Sequence, residues 1–170
     1  MWNFSGRQND KQWKYDLENG NWISGIHLID EYRLGPQKNL PADVINNKAR
    51  NQYYLIPFIL GIIGLIFIFK KNLRIFWPIF LLFIFTGIAL KFYLNERVFE
   101  PRERDYALVG SFYTYCIFIG FSFIAISEYF LKYLKNNFSF LLAIVITVTS
   151  PILLSFNNWY DHDRSNRYTA

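Results

Sequence analysis

Four stretches of the chain are long and almost free of charge: residues 53–69, 75–94, 106–130 and 138–156. Crossing a hydrocarbon core about 30 Å thick takes about 20 helical residues, so each run predicts a transmembrane helix. Strands are excluded, because lipid offers no partner to exposed backbone groups and a barrel needs a period of two that these runs lack. The run at 53–69 is the shortest and is expected to gain length from the polar residues before it. Lys91 lies near the end of the second run, where its stem can follow lipid while the ammonium reaches the interface.

Residues 1–52 are polar overall but carry Trp2, Phe4, Trp13, Trp22 and Ile23, enough apolar surface to fold against something. Gly20-Asn21 and Gly35-Pro36 mark turns. Short helices are expected over 26–34, with Ile26, Ile29 and Leu34 near one side, and over 41–51, with Pro41 in the first turn. The chain therefore reads as an all-α membrane protein. A polar, partly helical segment at 1–52 precedes four transmembrane helices within 53–156, and 157–170 begins a further juxtamembrane region. With no basic and apolar leader at its start and a sequence that stops without a terminal signal, it reads as an internal piece of a larger multi-span bundle.

Composition refines this picture at the interfaces. Aromatic residues make up 21% of the chain, and Tyr53, Tyr54, Trp77, Tyr93, Tyr106, Tyr129, Tyr133 and Trp159 fall at run ends, where amphipathic rings sit at headgroup depth. The net charge of +5 is spread among interleaved acids beside the apolar runs. That distribution favours anionic lipid or a lipid phosphate over nucleic acid as the partner. Gly61 with Gly64, and Cys116 with Gly120, offer small-residue seams for close helix packing, and the lone Cys116 is expected to be a small core residue. Pro57, Pro78 and Pro151 can kink their helices, and Thr147, Thr149, Ser150 and Ser155 give the last run a hydroxyl-bearing surface expected to face protein.

An even number of crossings puts residues 1–52, 95–105 and 157–170 on one side. There the string P-R-E-R-D-Y at 101–106 supplies Arg102 and Arg104, whose planar donor forks suit phosphate, with Glu100, Glu103 and Asp105 interleaved to orient them or simply to pair with them. Arg164 and Arg167 repeat the supply. Asp161-His162-Asp163 contains ligand-type residues, but neighbours in sequence rarely converge on one ion and no second ligand cluster accompanies them, so a solvated turn and no metal is the expectation. His27 is isolated. No nucleophile elbow, phosphate-binding glycine loop or Cys/His cluster is present. Absolute orientation is contested: Lys70, Lys71, Arg74, Lys132 and Lys135 mark the opposite side as cytoplasmic, yet Lys48, Arg50, Arg97, Arg102, Arg104, Arg164 and Arg167 lie on the shared side.

The strings W-N-F-S-G-R-Q-N-D at 2–10, G-N-W-I-S-G-I at 20–26, R-L-G-P-Q at 33–37, P-R-E-R-D-Y at 101–106 and D-H-D-R-S-N-R-Y-T-A at 161–170 resemble a family of large bacterial integral membrane proteins related to GT-C-type protein O-mannosyltransferases. The resemblance runs along nearly the whole chain. It implies a membrane glycosyltransferase that moves a sugar, mannose by analogy, from a polyprenyl-phosphate donor to Ser or Thr of a secreted protein. It needs no cofactor and is seated in the bacterial inner membrane with the three polar segments outside. The acid that acts as general base in that fold precedes the residues present here, so no catalytic residue is carried over and the piece alone is expected to be inactive. Cations would stabilise charge on the departing lipid phosphate, with Arg102 and Arg104 placed first and Arg7, Arg164 and Arg167 after them. Trp13, Trp22 and Trp159 could stack on sugar or acceptor, or anchor the interface. A noncatalytic scaffold of an envelope or secretion complex and a transporter of lipid-linked sugars are the alternatives. Against the transporter, no run holds a central ionisable residue.

Overall fold

In a computed structural model the chain is mostly helical, and the structure describes residues 2–8, 22–38, 40–47, 50–95 and 105–162. The elements in order are α1 (Trp2–Ser5), β1 (Gly6–Arg7), α2 (His27–Leu34), α3 (Ala42–Ile45), β2 (Asn51–Gln52), α4 (Ile56–Lys71), α5 (Leu73–Ile84), a π-helical turn (Phe85–Ala89), α6 (Leu90–Leu94), a 3-10 turn (Asp105–Leu108), α7 (Val109–Leu131) and α8 (Asn136–His162). They divide into two compact units, one of Met1–Pro57 with Ser150–Ala170, the other of Phe58–Thr149.

Among the described residues, three helical stretches are long and apolar enough to cross a membrane: Leu73–Leu94, Tyr106–Leu131 and Asn136–Trp159. The fourth run forms α4, 16 residues long and about 24 Å at 1.5 Å per residue. It does not lengthen backwards. Tyr54 and Leu55 both take positive φ, 53° and 57°, a left-handed turn that stops an α-helix from continuing, and the residues before them are drawn into β2 instead. At its other end Asn72 leaves helical geometry, and its side chain accepts from the backbone N–H groups of Arg74 at 3.0 Å and Ile75 at 3.3 Å, capping α5.

Within the unit of Phe58–Thr149 the helices alternate in direction. The Tyr115 hydroxyl donates to the Phe58 carbonyl at 2.7 Å, Gly64 lies against the Phe118 carbonyl, and Lys71 pairs with Glu128 at 2.8 Å, so α4 and α7 run parallel. On α5, Phe83 meets Phe118, while further on Thr86 and Gly87 meet Gly110 and Ser111, an antiparallel crossing. α8 is antiparallel to α7, with Phe140 beside Phe123 and the Ser139 hydroxyl donating to the Ser127 carbonyl at 2.8 Å.

The seam expected on α7 is displaced. Cys116 is exposed and Gly120 faces open space, so neither brings backbones together. The buried positions are Ser111, Thr114, Tyr115, Phe118, Ser122 and Ser127. The Ser and Thr hydroxyls among them donate to carbonyls three or four residues back at 2.6–3.0 Å. A hydroxyl satisfied this way leaves a small surface for a neighbouring helix. Gly61 and Gly64 do form the expected seam: a Cβ at Gly61 would enter the Tyr115 ring and one at Gly64 the Phe118 carbonyl. On α8, Ser150 is buried but Ser155 is exposed, so only part of its hydroxyl surface faces protein.

The polar segment, expected to be partly helical, also pairs two short strands that an all-α fold does not include. Gly6 and Arg7 pair antiparallel with Gln52 and Asn51, and Trp22 bridges to Arg7. Helix α2 falls where expected. Helix α3 is cut to one turn because Asn46 and Asn47, residues that favour turns, precede the strand that returns to β1.

Candidate functional site

The polar segment is assembled around Asp30. This residue sits in the first turn of α2 with 3% of its surface exposed. Its Oδ1 accepts from the Ser24 N–H and the Ser24 hydroxyl, both at 2.8 Å, and its Oδ2 from the Gly25 N–H at 2.7 Å. Ser24 Oγ in turn accepts from the Ile26 N–H at 3.0 Å. The carboxylate thus ties the incoming loop to the helix N-terminus, where negative charge is also favoured by the helix dipole. Gly6 fixes the other side of this loop. Its carbonyl accepts from the Ile23 N–H at 3.0 Å, its φ is +131°, and a Cβ there would strike the Asn51 and Ile23 carbonyls.

One turn beyond Asp30, Arg33 lays its guanidinium over the Trp22 ring, 3.8 Å from the centroid, and Nη2 donates to the Trp22 carbonyl. The other two nitrogens, Nε and Nη1, are withdrawn from solvent without a hydrogen-bond partner. Arg50 approaches the end of the same helix: its Nη2 donates to Gln37 Oε1 at 3.2 Å, and Gln37 Nε2 donates to the Gly35 carbonyl at 3.1 Å. Burial pulls both guanidinium groups below their ordinary pKa, and the negative charge of Asp30 opposes that pull at each. Two half-buried arginines therefore share the field of one carboxylate whose oxygens already serve Ser24 and Gly25.

Beside this cluster, β2 is fastened to the last turns of α8. Asn158 Nδ2 donates to the Tyr53 hydroxyl and to the Leu154 carbonyl, each at 2.7 Å, and the side-chain amides of Asn51 and Asn158 meet at 2.8 Å. Asn157 Nδ2 donates to the Leu153 carbonyl at 3.0 Å and reaches the Gln52 carbonyl at 3.5 Å.

Of the residues singled out from sequence, Arg7 and Trp22 come together through the strand bridge, and Trp159 stands on α8, 66% exposed. Arg102, Arg104, Arg164, Arg167 and Trp13 lie outside the described residues. Asp30, Arg33, Arg50 and Gln37 were missed. The available signal was a helix of eight residues carrying an acid and an arginine three apart, just after a tryptophan-bearing turn. Among the described residues no group of three His, Cys, Asp or Glu side chains could hold a metal ion. Compared with known proteins, the chain matches no family model, no curated protein and no solved structure.

Proposed function

We propose that the chain forms part of a GT-C-like membrane glycosyltransferase that moves a sugar, mannose in the first instance, from a polyprenyl-phosphate donor to Ser or Thr of secreted proteins. Its polar segments are external to the bacterial inner membrane. In this reading α4 is a fourth crossing. The observation that carries it is the tie between β2 and the end of α8. If the three long helices cross, Leu73 and Trp159 lie on opposite sides. Residues 51–53 hydrogen-bond to Asn157 and Asn158, which supports a traverse of the bilayer between 53 and 73, where α4 is the helix at hand. The parallel course of α4 beside α7 and the exposed Lys71–Glu128 pair at their ends support the same count. A helix of about 24 Å is accommodated by modest local thinning and by Lys70 and Lys71 reaching outward.

Four crossings gather the polar strings on one face, where a lipid-linked donor and a soluble acceptor can meet. The general base lies outside these residues, and cations here stabilise the leaving phosphate. The test is transfer of labelled mannose from polyprenyl-phosphate mannose to a Ser/Thr-rich acceptor, in membranes containing the full-length protein that carries this chain. Transfer above that of membranes lacking the protein is expected. No transfer, with folded protein and intact donor, removes the reading for mannose and leaves a noncatalytic scaffold in its place.

A further inference from the structure

The geometry points to a binding site for the phosphate of an anionic lipid headgroup between Arg33 and Arg50, floored by Trp22 and flanked by Gln37. Three observations on different atoms converge on it.

The first is charge. Both guanidiniums are half-buried, and the one carboxylate in their field among the described residues, Asp30, has each oxygen engaged by the Ser24–Gly25 loop. Glu31, the other acid on α2, faces His27, whose Nδ1 lies 3.1 Å from its Oε2. Among the described residues, the pair of arginines thus carries a positive charge that no further acid is seen to offset.

The second is unfilled hydrogen bonding. Arg33 uses Nη2 on the Trp22 carbonyl and its π-face on the Trp22 ring, which fixes the guanidinium plane and leaves Nε and Nη1 unpaired. A buried cationic donor without an acceptor is costly, and a phosphate oxygen is the acceptor best matched to it. Arg50 contributes its remaining N–H groups beyond the single bond to Gln37.

The third is depth. Arg50 is followed by Asn51, whose side-chain amide meets that of Asn158 in the last turns of the Asn136–Trp159 stretch, which is long and apolar enough to cross a membrane. Tyr54 and Trp159, both substantially exposed, mark the same level with interfacial aromatics. A phosphate found at that level belongs to a lipid headgroup.

The site binds whether or not sugar is transferred, so it stands apart from the proposed reaction. The test uses the whole chain in a neutral maltoside detergent, titrated with polyprenyl phosphate, with phosphatidylglycerol and with inorganic phosphate, the bound species being counted by native mass spectrometry. Saturable one-to-one binding of a phosphate lipid is expected. Arg33→Gln and Arg50→Gln should each weaken it by about tenfold or more, while Lys38→Gln, which removes an exposed charge from the same segment, should leave it unchanged. Tighter binding of polyprenyl phosphate than of phosphatidylglycerol would assign the site to a phosphomonoester, and equal binding to lipid phosphate in general.

Unaltered affinity in both arginine variants overturns the assignment. So does an equal loss in Lys38→Gln, which would mean diffuse surface attraction, or binding of inorganic phosphate alone. Should Arg33→Gln fail to fold, Arg50→Gln decides, since among the described residues its guanidinium hydrogen-bonds only Gln37. No acceptor is present in the titration. A protein that binds and does not transfer therefore keeps this site and loses the proposed reaction, and the reverse result separates them equally well.

Discussion

At Asp30 two carboxylate oxygens take two backbone N–H groups and one hydroxyl within 2.8 Å, so truncation strands three donors at once. Each donor left buried without a partner costs about 1–3 kcal/mol. Asp30→Ala should therefore speed hydrogen exchange at the Ser24 and Gly25 amides while leaving the helices of residues 58–149 protected. Unchanged exchange at those two amides would show that the carboxylate does not hold the loop. Asp30→Asn keeps an acceptor and should fall between. Little of this was legible beforehand. The sequence presents Asp30 as one acid in a short amphipathic helix, and nothing in its spacing announces that the helix folds back onto the turn six residues earlier. Trp22 and Arg7 were recognisable as an aromatic and a cation able to contact a ligand. That they adjoin rests on an antiparallel bridge between residues well separated in the chain, a contact that local patterning does not encode.

At the scale of elements, hydrophobic runs located the helices well, because the burial requirement of backbone in lipid leaves few other choices. The misjudged features are ends and faces. The start of α4 depended on the left-handed turn at Tyr54 and Leu55, two residues with no intrinsic preference for that conformation. The seam of α7 depended on which of its small residues point toward α4 and α5, and Ser and Thr with satisfied hydroxyls serve there as well as glycine. A paired substitution checks this reading. Gly64→Val places a side chain where the Phe118 carbonyl now lies, so α4 must withdraw from α7, and thermal unfolding in detergent should begin several degrees lower, as about 2 kcal/mol of overpacking strain implies. Gly120→Leu enters open space and should leave the midpoint within about a degree, since surface substitutions usually fall within ±0.5 kcal/mol. Equal effects from the two would mean that the glycines matter only through helix propensity.

For the molecule as a whole, the consequential question is how many times the chain crosses the bilayer, because that number decides which polar segments can share a substrate. Charge alone gives a divided answer, since Lys70, Lys71 and Arg74 oppose Lys48 and Arg50 across α4. Connectivity adds a second line of argument: β2 is hydrogen-bonded to the end of α8, a tie that the proposed fourth crossing accommodates. Single cysteines at Tyr54, Asn72 and Trp159, in a chain whose exposed Cys116 is replaced by alanine, turn the argument into a measurement. A membrane-impermeant maleimide added to sealed, oriented vesicles should label positions 54 and 159 from one side and 72 from the other. Labelling of 54 and 72 from the same side would reduce α4 to a helix lying at the interface. It would also place residues 51–53 across the bilayer from Asn157 and Asn158, contradicting the hydrogen bonds that join them. Labelling that splits as expected, with the 54 and 159 face outward, would put Arg33 and Arg50 in the leaflet where an external sugar transferase meets its donor. The same split with that face inward would keep the fold and the lipid-phosphate site while removing secreted proteins as acceptors.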